Sequence, residues 1–170
     1  TRNTVIAALM VRRGEADGML CGTIGQFQRH LRHVAEVIGK AENVHDFAAL
    51  NLLIVSKGSY FVVDTHVSSD PLAETIAEMV VLAAREVRRF GIEPKVALLS
   101  HSNFGSADTA TARKMRDALM LIQTLAPEIE VEGEMHGDAA ISEEIRNRIF
   151  PNSRLKGSAN LLVMPTLDAA

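Results

Sequence analysis

Apolar residues near the start recur at Val5, Ile6, Leu9 and Met10, the spacing of one helix face, and Arg12-Arg13-Gly14 supplies the positive charge and permissive backbone that end a helix. A short apolar run, Gly18-Met19-Leu20-Cys21-Gly22, sits between glycines and reads as a buried strand. Phe27, Leu31, Val34 and Ile38 then mark a second helix, stopped by Gly39. Two further runs, Leu50 to Val55 and Tyr60 to Val63, flank Ser56-Lys57-Gly58-Ser59 and read as a β-hairpin. The pattern next turns helical at Leu72, Ile76, Met79, Val80, Ala83, Val87 and Phe90, with Asp70 as cap, Pro71 in the first turn, Glu74 at the positive end and Gly91 as stop.

Beyond it the elements alternate. Lys95 to Leu99 is a strand, Ser100 to Ser106 a polar loop, and Ala112, Met115, Leu119, Ile122 and Leu125 the inward face of a helix halted before Pro127. Ile129 to Glu132 reads as a strand, Ile141 to Ile149 as a helix, and Leu161 to Met164 as a last strand ended by Pro165. Such alternation predicts a three-layer α/β/α fold with a mostly parallel sheet plus one antiparallel hairpin.

Composition narrows the function. Of 170 residues 47% are hydrophobic, enough for a real core, while aromatics are only 4% and Trp is absent, which disfavours stacking platforms. Eighteen Lys and Arg against 21 Asp and Glu leave a net charge of −3, so no nucleic-acid partner is expected. No apolar run is long enough to span a bilayer and no leader pattern is visible, so no membrane partner and a cytoplasmic location are expected. The single Cys21 excludes an internal disulfide, and inside its apolar run it reads as a small core residue.

Ligands of open α/β sheets bind beyond the carboxyl ends of the strands. The loop Ser100-His101-Ser102-Asn103-Phe104-Gly105-Ser106 falls there, and its hydroxyls, Gly105 backbone and following helix suit a phosphate. An ordinary capped turn explains the same residues, and both readings stand. Gly133-Glu134-Met135-His136-Gly137-Asp138 gathers acid, imidazole and acid, an acid/base or metal pattern, yet Asp138 also reads as a helix cap and no metal ligand set is expected. Asp64-Thr65-His66 is a third polar cluster on the same sheet edge. Arg29, His30, Arg32 and His33 share one helix turn, either as a solvated face or as an attraction for a phosphorylated ligand. No Gly-x-Ser-x-Gly elbow supports a hydrolase.

Four stretches in order, Met10 to Met19, Phe90 to Ser100, Glu132 to Ala140 and Gly157 to Pro165, resemble the phosphate acetyl/butyryltransferase family across nearly the whole chain. Where phosphotransacetylases usually carry Ser-x-Ser-Thr-Lys-Gly-Ser, this chain has Asn103 and Phe104 in place of Thr and Lys. In that it is similar to the C-terminal phosphotransacetylase-like domain of long bacterial NADP-dependent malic enzymes, as are the stretches Thr1 to Met10 and Asn160 to Asp168. The resemblance implies an isocitrate-dehydrogenase-like α/β/α fold and one domain over 1–170, truncated at both ends, with the malic enzyme domains that turn malate into pyruvate and CO2 lying outside it.

The family's Ser-Arg pair and Asp lie beyond the Ala159-Asn160 motif, so no position here inherits a catalytic role. Loss of the loop lysine removes a charge from the phosphate cradle, and Phe104 is expected to intrude on it. The resemblance therefore implies a regulatory, oligomerising domain that binds acetyl-CoA as ligand and holds no cofactor, while NADP and a divalent metal belong to the malic enzyme domains. Arg32 falls near a coenzyme A-contacting arginine of the family and joins Ser102, Asn103, Phe104, Gly105 and Ser106 as the expected ligand-binding set. A homodimer or higher homo-oligomer is expected. A working acyltransferase moving an acyl group between coenzyme A and phosphate, and a purely structural dimerisation module, are the competing readings.

Overall fold

A computed structural model describes residues 2–56 and 58–170; Thr1 and Lys57, the latter in the expected hairpin turn, lie outside the described residues. The chain divides into two compact units, Thr1–Phe47 and Ala48–Ala170.

The first unit is a helix pair. Helix α1 (Arg2–Arg12) packs on α2 (Phe27–Val37), and the Arg12 guanidinium donates to the Val37 carbonyl at 2.5 Å, tying the two C-terminal ends together. The expected strand at 18–22 does not form: that segment is irregular, Leu20 is fully exposed and Cys21 is exposed, not core. It has no strand to pair with in this unit, and without a ladder an apolar run has no reason to be extended.

In the second unit five strands stand in the order β1-β2-β5-β3-β4: β1 (Leu50–Val55), β2 (Gly58–Val63), β3 (Lys95–Leu99), β4 (Glu130–Met135) and β5 (Leu161–Val163). Only β1 and β2 are antiparallel; β2, β5, β3 and β4 run parallel, so their carboxyl ends share one edge. Strand alternation divides the core. Phe61, Val63, Val96, Leu98, Val131, Leu161 and Val163 face α3 (Ala73–Arg89) and α4 (Ala110–Leu125), burying Ile76, Val80, Met115 and Ile122 completely. Ala97, Leu99 and Leu162 turn the other way, onto α5 (Gly137–Ile141) with Met135, Ala139, Ala140, Leu155 and Ala159. Helix α6 (Glu143–Ile149) completes that layer. The α/β/α expectation, mostly parallel with one hairpin, therefore describes this unit.

Several boundaries differ from expectation. Helix α3 begins at Ala73 because Leu72 is still extended, and Asp70 does not cap it but pairs with Lys114 at 2.5 Å. Leu72, Phe90 and Leu125 were expected inward yet are mostly exposed; each lies at a helix end, where the apolar stripe has turned off the sheet. The helix expected over 141–149 starts at Glu143, and a separate short helix at 137–141 precedes it, because Ser142 is extended between them and caps the second through Ile145 N–H. Strand β4 runs three residues past its expected end, through Gly133 and Glu134, where polarity hides a buried strand.

Candidate functional site

The carboxyl edge of the sheet carries three of the clusters singled out above. At the end of β2, Asp64 is buried and its carboxylate accepts backbone N–H groups from Ala49, His66, Val67 and Ser68 at 2.7–3.2 Å. It folds the chain back after the hairpin and has little capacity left for a ligand.

The loops after β3 and β4 form one assembly, and its origin is a bulge. Leu98 pairs with Gly133 but Leu99 with Met135, so Glu134 is the extra residue on β4. Gly133 makes this possible: at φ +150° a Cβ there would lie 2.7 Å from the Leu98 carbonyl oxygen. The bulge turns the Glu134 carboxylate, 1% exposed, into the 100–107 loop. Its Oε1 accepts the Ser102 hydroxyl at 2.7 Å, the Gly105 N–H at 2.8 Å and Arg116 Nη1 at 3.1 Å. Burial pushes the Glu134 carboxyl up, but the Ser102 and Gly105 hydrogen bonds and the Arg116 charge outweigh it and hold it below the ordinary carboxylate range.

The rest of the loop is equally committed. Ser102 is fully buried and accepts Ala107 N–H, while Ser106 Oγ accepts Asn103 N–H at 2.9 Å. Asn103 Oδ1 accepts His136 N–H at 2.7 Å, and His136 Nε2–H donates to the His101 carbonyl at 2.8 Å. Phe104 adopts φ +46°, donates its N–H to the Glu134 carbonyl, and stacks its ring on Phe150 at 4.6 Å. The ring expected to intrude on the cradle thus sits in the second hydrophobic cluster instead.

Of the expected ligand set, Ser102, Asn103, Phe104, Gly105 and Ser106 are brought together around Glu134, whereas Arg32 is exposed on α2 of the first unit. The acid–imidazole–acid reading of 134–138 comes apart: Glu134 faces the loop, His136 bonds back to His101, and Asp138 Oδ1 accepts Ala139 N–H. Among the described residues, no three His, Cys, Asp or Glu side chains gather as a metal centre. The basic turn on α2 is also not a uniform solvated face. His30 is 8% exposed, its Nε2–H donates to the Ile24 carbonyl at 3.0 Å, and its Nδ1 accepts the Thr4 hydroxyl at 2.9 Å. The His30 ring lines a cleft of about 540 Å³ together with Thr4, Cys21 and Thr23.

Arg116 and Arg146 escaped the sequence reading, and Asn160 entered it only as part of a motif. Arg146 is completely buried without a carboxylate partner; its Nη1 donates to the Ala139 and Ala140 carbonyls and its Nη2 to those of Leu155 and Gly157. Asn160 Oδ1 accepts Lys95 N–H and its Nδ2 donates to the Glu93 carbonyl, locking the starts of β3 and β5 side by side. No local pattern marks Arg146. The asparagine carried a signal, since it lies in the Gly157 to Pro165 stretch, but its work is structural.

A mostly parallel sheet covered on both faces, with polar loops gathered at its carboxyl edge, defines an open α/β protein in architecture. The comparisons give the family. The model of the family described as Phosphate acetyl/butaryl transferase matches residues 1–170, and the chain belongs to that family. It is 59% identical over 170 residues to the NAD-dependent malic enzyme of Rhizobium meliloti (strain 1021), covering 100% of this chain and 22% of that protein. To the NADP-dependent malic enzyme of Escherichia coli (strain K12) it is 55% identical over 167 residues, covering 98% and 22%. The phosphate acetyltransferase of Paracoccus denitrificans is 37% identical over 168 residues, covering 95% of this chain and 53% of the relative. Among solved structures, the EutD phosphotransacetylase from Staphylococcus aureus superposes with a TM-score of 0.88 at 29% identity, covering 98% of this chain and 52% of that one. The chain thus spans about a fifth of these malic enzymes and about half of the Paracoccus acetyltransferase and of the Staphylococcus phosphotransacetylase. It corresponds to the phosphotransacetylase-like segment of malic enzymes. Among the described residues, no helix is long and apolar enough to cross a membrane.

Proposed function

We propose that this segment is the regulatory and oligomerising phosphotransacetylase-like domain of a cytoplasmic malic enzyme, that it senses acetyl-CoA, and that it performs no acyl transfer itself. The observation that carries the reading is the loop after β3, where Asn103 and Phe104 stand in place of the Thr and Lys usual in phosphotransacetylases. Acyl transfer to phosphate needs donors free to meet a phosphate and a developing oxyanion. Here the lysine charge is absent, Asn103 Oδ1 is taken up by His136 N–H and the Phe104 ring stacks on Phe150. The higher identity to malic enzymes, 59% and 55%, than to the Paracoccus acetyltransferase, 37%, supports the same direction.

In this reading malate oxidation, NADP and the divalent metal belong to the other domains of the whole protein. Acetyl-CoA acts by binding two quaternary states unequally, because only a difference in affinity shifts an equilibrium. The outward side of the 100–106 loop is a proposed contact within the second unit and Arg32 a separate one within the first, each proposed by itself, and the assembly is a homodimer or larger.

Two assays on the full-length protein test this. Acetyl-CoA and phosphate are supplied and free thiol is followed; malate oxidation is then followed with and without acetyl-CoA. The expected result is no thiol release and an acetyl-CoA-dependent change in malate oxidation that Arg32→Ala weakens. Sustained thiol release would replace this reading with a phosphate acetyl/butyryltransferase. Indifference of both activities to acetyl-CoA would leave a structural dimerisation module.

A further inference from the structure

The donors that meet on Glu134 are a hydroxyl (Ser102), a backbone amide (Gly105) and a guanidinium (Arg116), all within 3.1 Å of one oxygen. That is the chemistry of an oxyanion site, three convergent donors of which one is cationic. They come from the loop after β3 and from α4, whereas the anion they hold comes from β4. Arg116 is further steadied by Asp108, whose Oδ1 accepts its Nη2 at 2.7 Å. The carboxylate is delivered by a bulge that only a glycine at 133 permits. It is almost wholly withdrawn from water, so a solute anion cannot reach the three donors while it stays.

From this the geometry points to Glu134 as a built-in occupant of an oxyanion cradle: its side chain excludes inorganic phosphate from Ser102, Gly105 and Arg116, and removing it converts the cradle into a binding site for a small oxyanion. Glu134 is a specificity-determining and positioning residue here. The inference concerns phosphate and stands apart from acetyl-CoA sensing, since the acetyl-CoA response of the wild-type protein tests that reading and phosphate binding by the variants tests this one.

The experiment uses full-length Glu134→Ala, which deletes a carboxymethyl group of nearly the size and charge of acetate. Thermal unfolding is followed in inorganic phosphate, acetate and chloride at matched ionic strength. A ligand that binds only the folded state raises the midpoint by mass action. Phosphate and acetate are expected to stabilise the variant but not the wild type beyond chloride, with apparent phosphate affinity at least about tenfold above wild type. Adding Arg116→Gln to the variant should abolish that gain. Glu134→Gln, which refills the space, should show none.

Equal phosphate response in Glu134→Ala and wild type would overturn the proposal. So would saturable phosphate binding by wild type that Arg116→Gln removes. If the alanine variant does not fold in chloride, its refolding in phosphate or acetate becomes the readout. Recovery there supports the cradle, and failure in all three salts overturns it.

Discussion

A loop in the first unit and a loop in the second invert what their sequences suggest. Residues 18–25 are glycine-rich and apolar, yet Leu20 and Ile24 stand exposed and the segment is held chiefly by one imidazole, His30. Residues 100–107 are mostly polar, yet they are closed around a buried carboxylate, and the hydroxyl of Ser102 is spent inside. Apolar character did not produce burial in one, and polarity did not produce an open site in the other. What decides is whether a neighbouring element offers backbone partners: a sheet edge does so for the second loop, and nothing comparable does so for the first.

If that contrast is right, the second unit depends on buried ionic groups and the first does not. The largest effect is expected from Arg146→Met, which leaves four carbonyls without their donor. Denaturant unfolding should show a loss of roughly 3–5 kcal/mol, or no folded second unit at all. Gly133→Ala should follow at about 2–4 kcal/mol, because its Cβ meets backbone rather than a movable side chain. A further sign of strain would be faster hydrogen exchange of the Gly105 amide, which donates to Glu134.

The Glu134 contact should also appear in the acid limb of stability. Its pKa is lowered in the folded state, so its contribution is complete above the unfolded carboxylate pKa of about 4.3. It is lost as pH falls below that through the folded value. Unfolding measured against pH should therefore be flatter across the acid limb in Glu134→Gln than in wild type; coincident curves would count against the buried ionised carboxylate. Smaller again, His30→Ala should cost about 1–2 kcal/mol locally, through loss of the Thr4 and Ile24 bonds. Leu20→Ser should fall within about 0.5 kcal/mol, since its side chain buries nothing. A large effect from Leu20→Ser would erase the distinction between the two loops.

The architecture was legible wherever burial followed periodicity. Helices α3 and α4 and the strands at 60–63, 95–99 and 161–163 carry apolar residues at the spacing their geometry demands. Legibility failed where burial is ionic or where an element lacks a partner. Glu132 and Glu134 disguised the second half of β4, although both are buried, because a buried carboxylate leaves no hydrophobic mark. Cys21 and Leu20 looked like core because the sequence does not say that no strand stands beside them. At the site, the 100–106 loop is legible as one polar stretch, but its partner Glu134 lies more than two dozen positions away. Only the bulge register shows that Glu134 turns inward. Arg146 was unreadable for a simpler reason, since its four partners are all main-chain carbonyls.

The position of β5 has a kinetic meaning. The last strand in the chain enters the middle of the sheet, pairing with 61–63 on one side and 96–98 on the other. Until it arrives, β2 and β3 have no common neighbour, and Asn160 has nothing to clamp. On a ribosome, the hairpin and the β3–β4 pair would wait as two separate halves until the segment around 160 had emerged. Loop closure over such separations is slow, so the central sheet should assemble as one late, concerted event, with exposed strand edges in the interval.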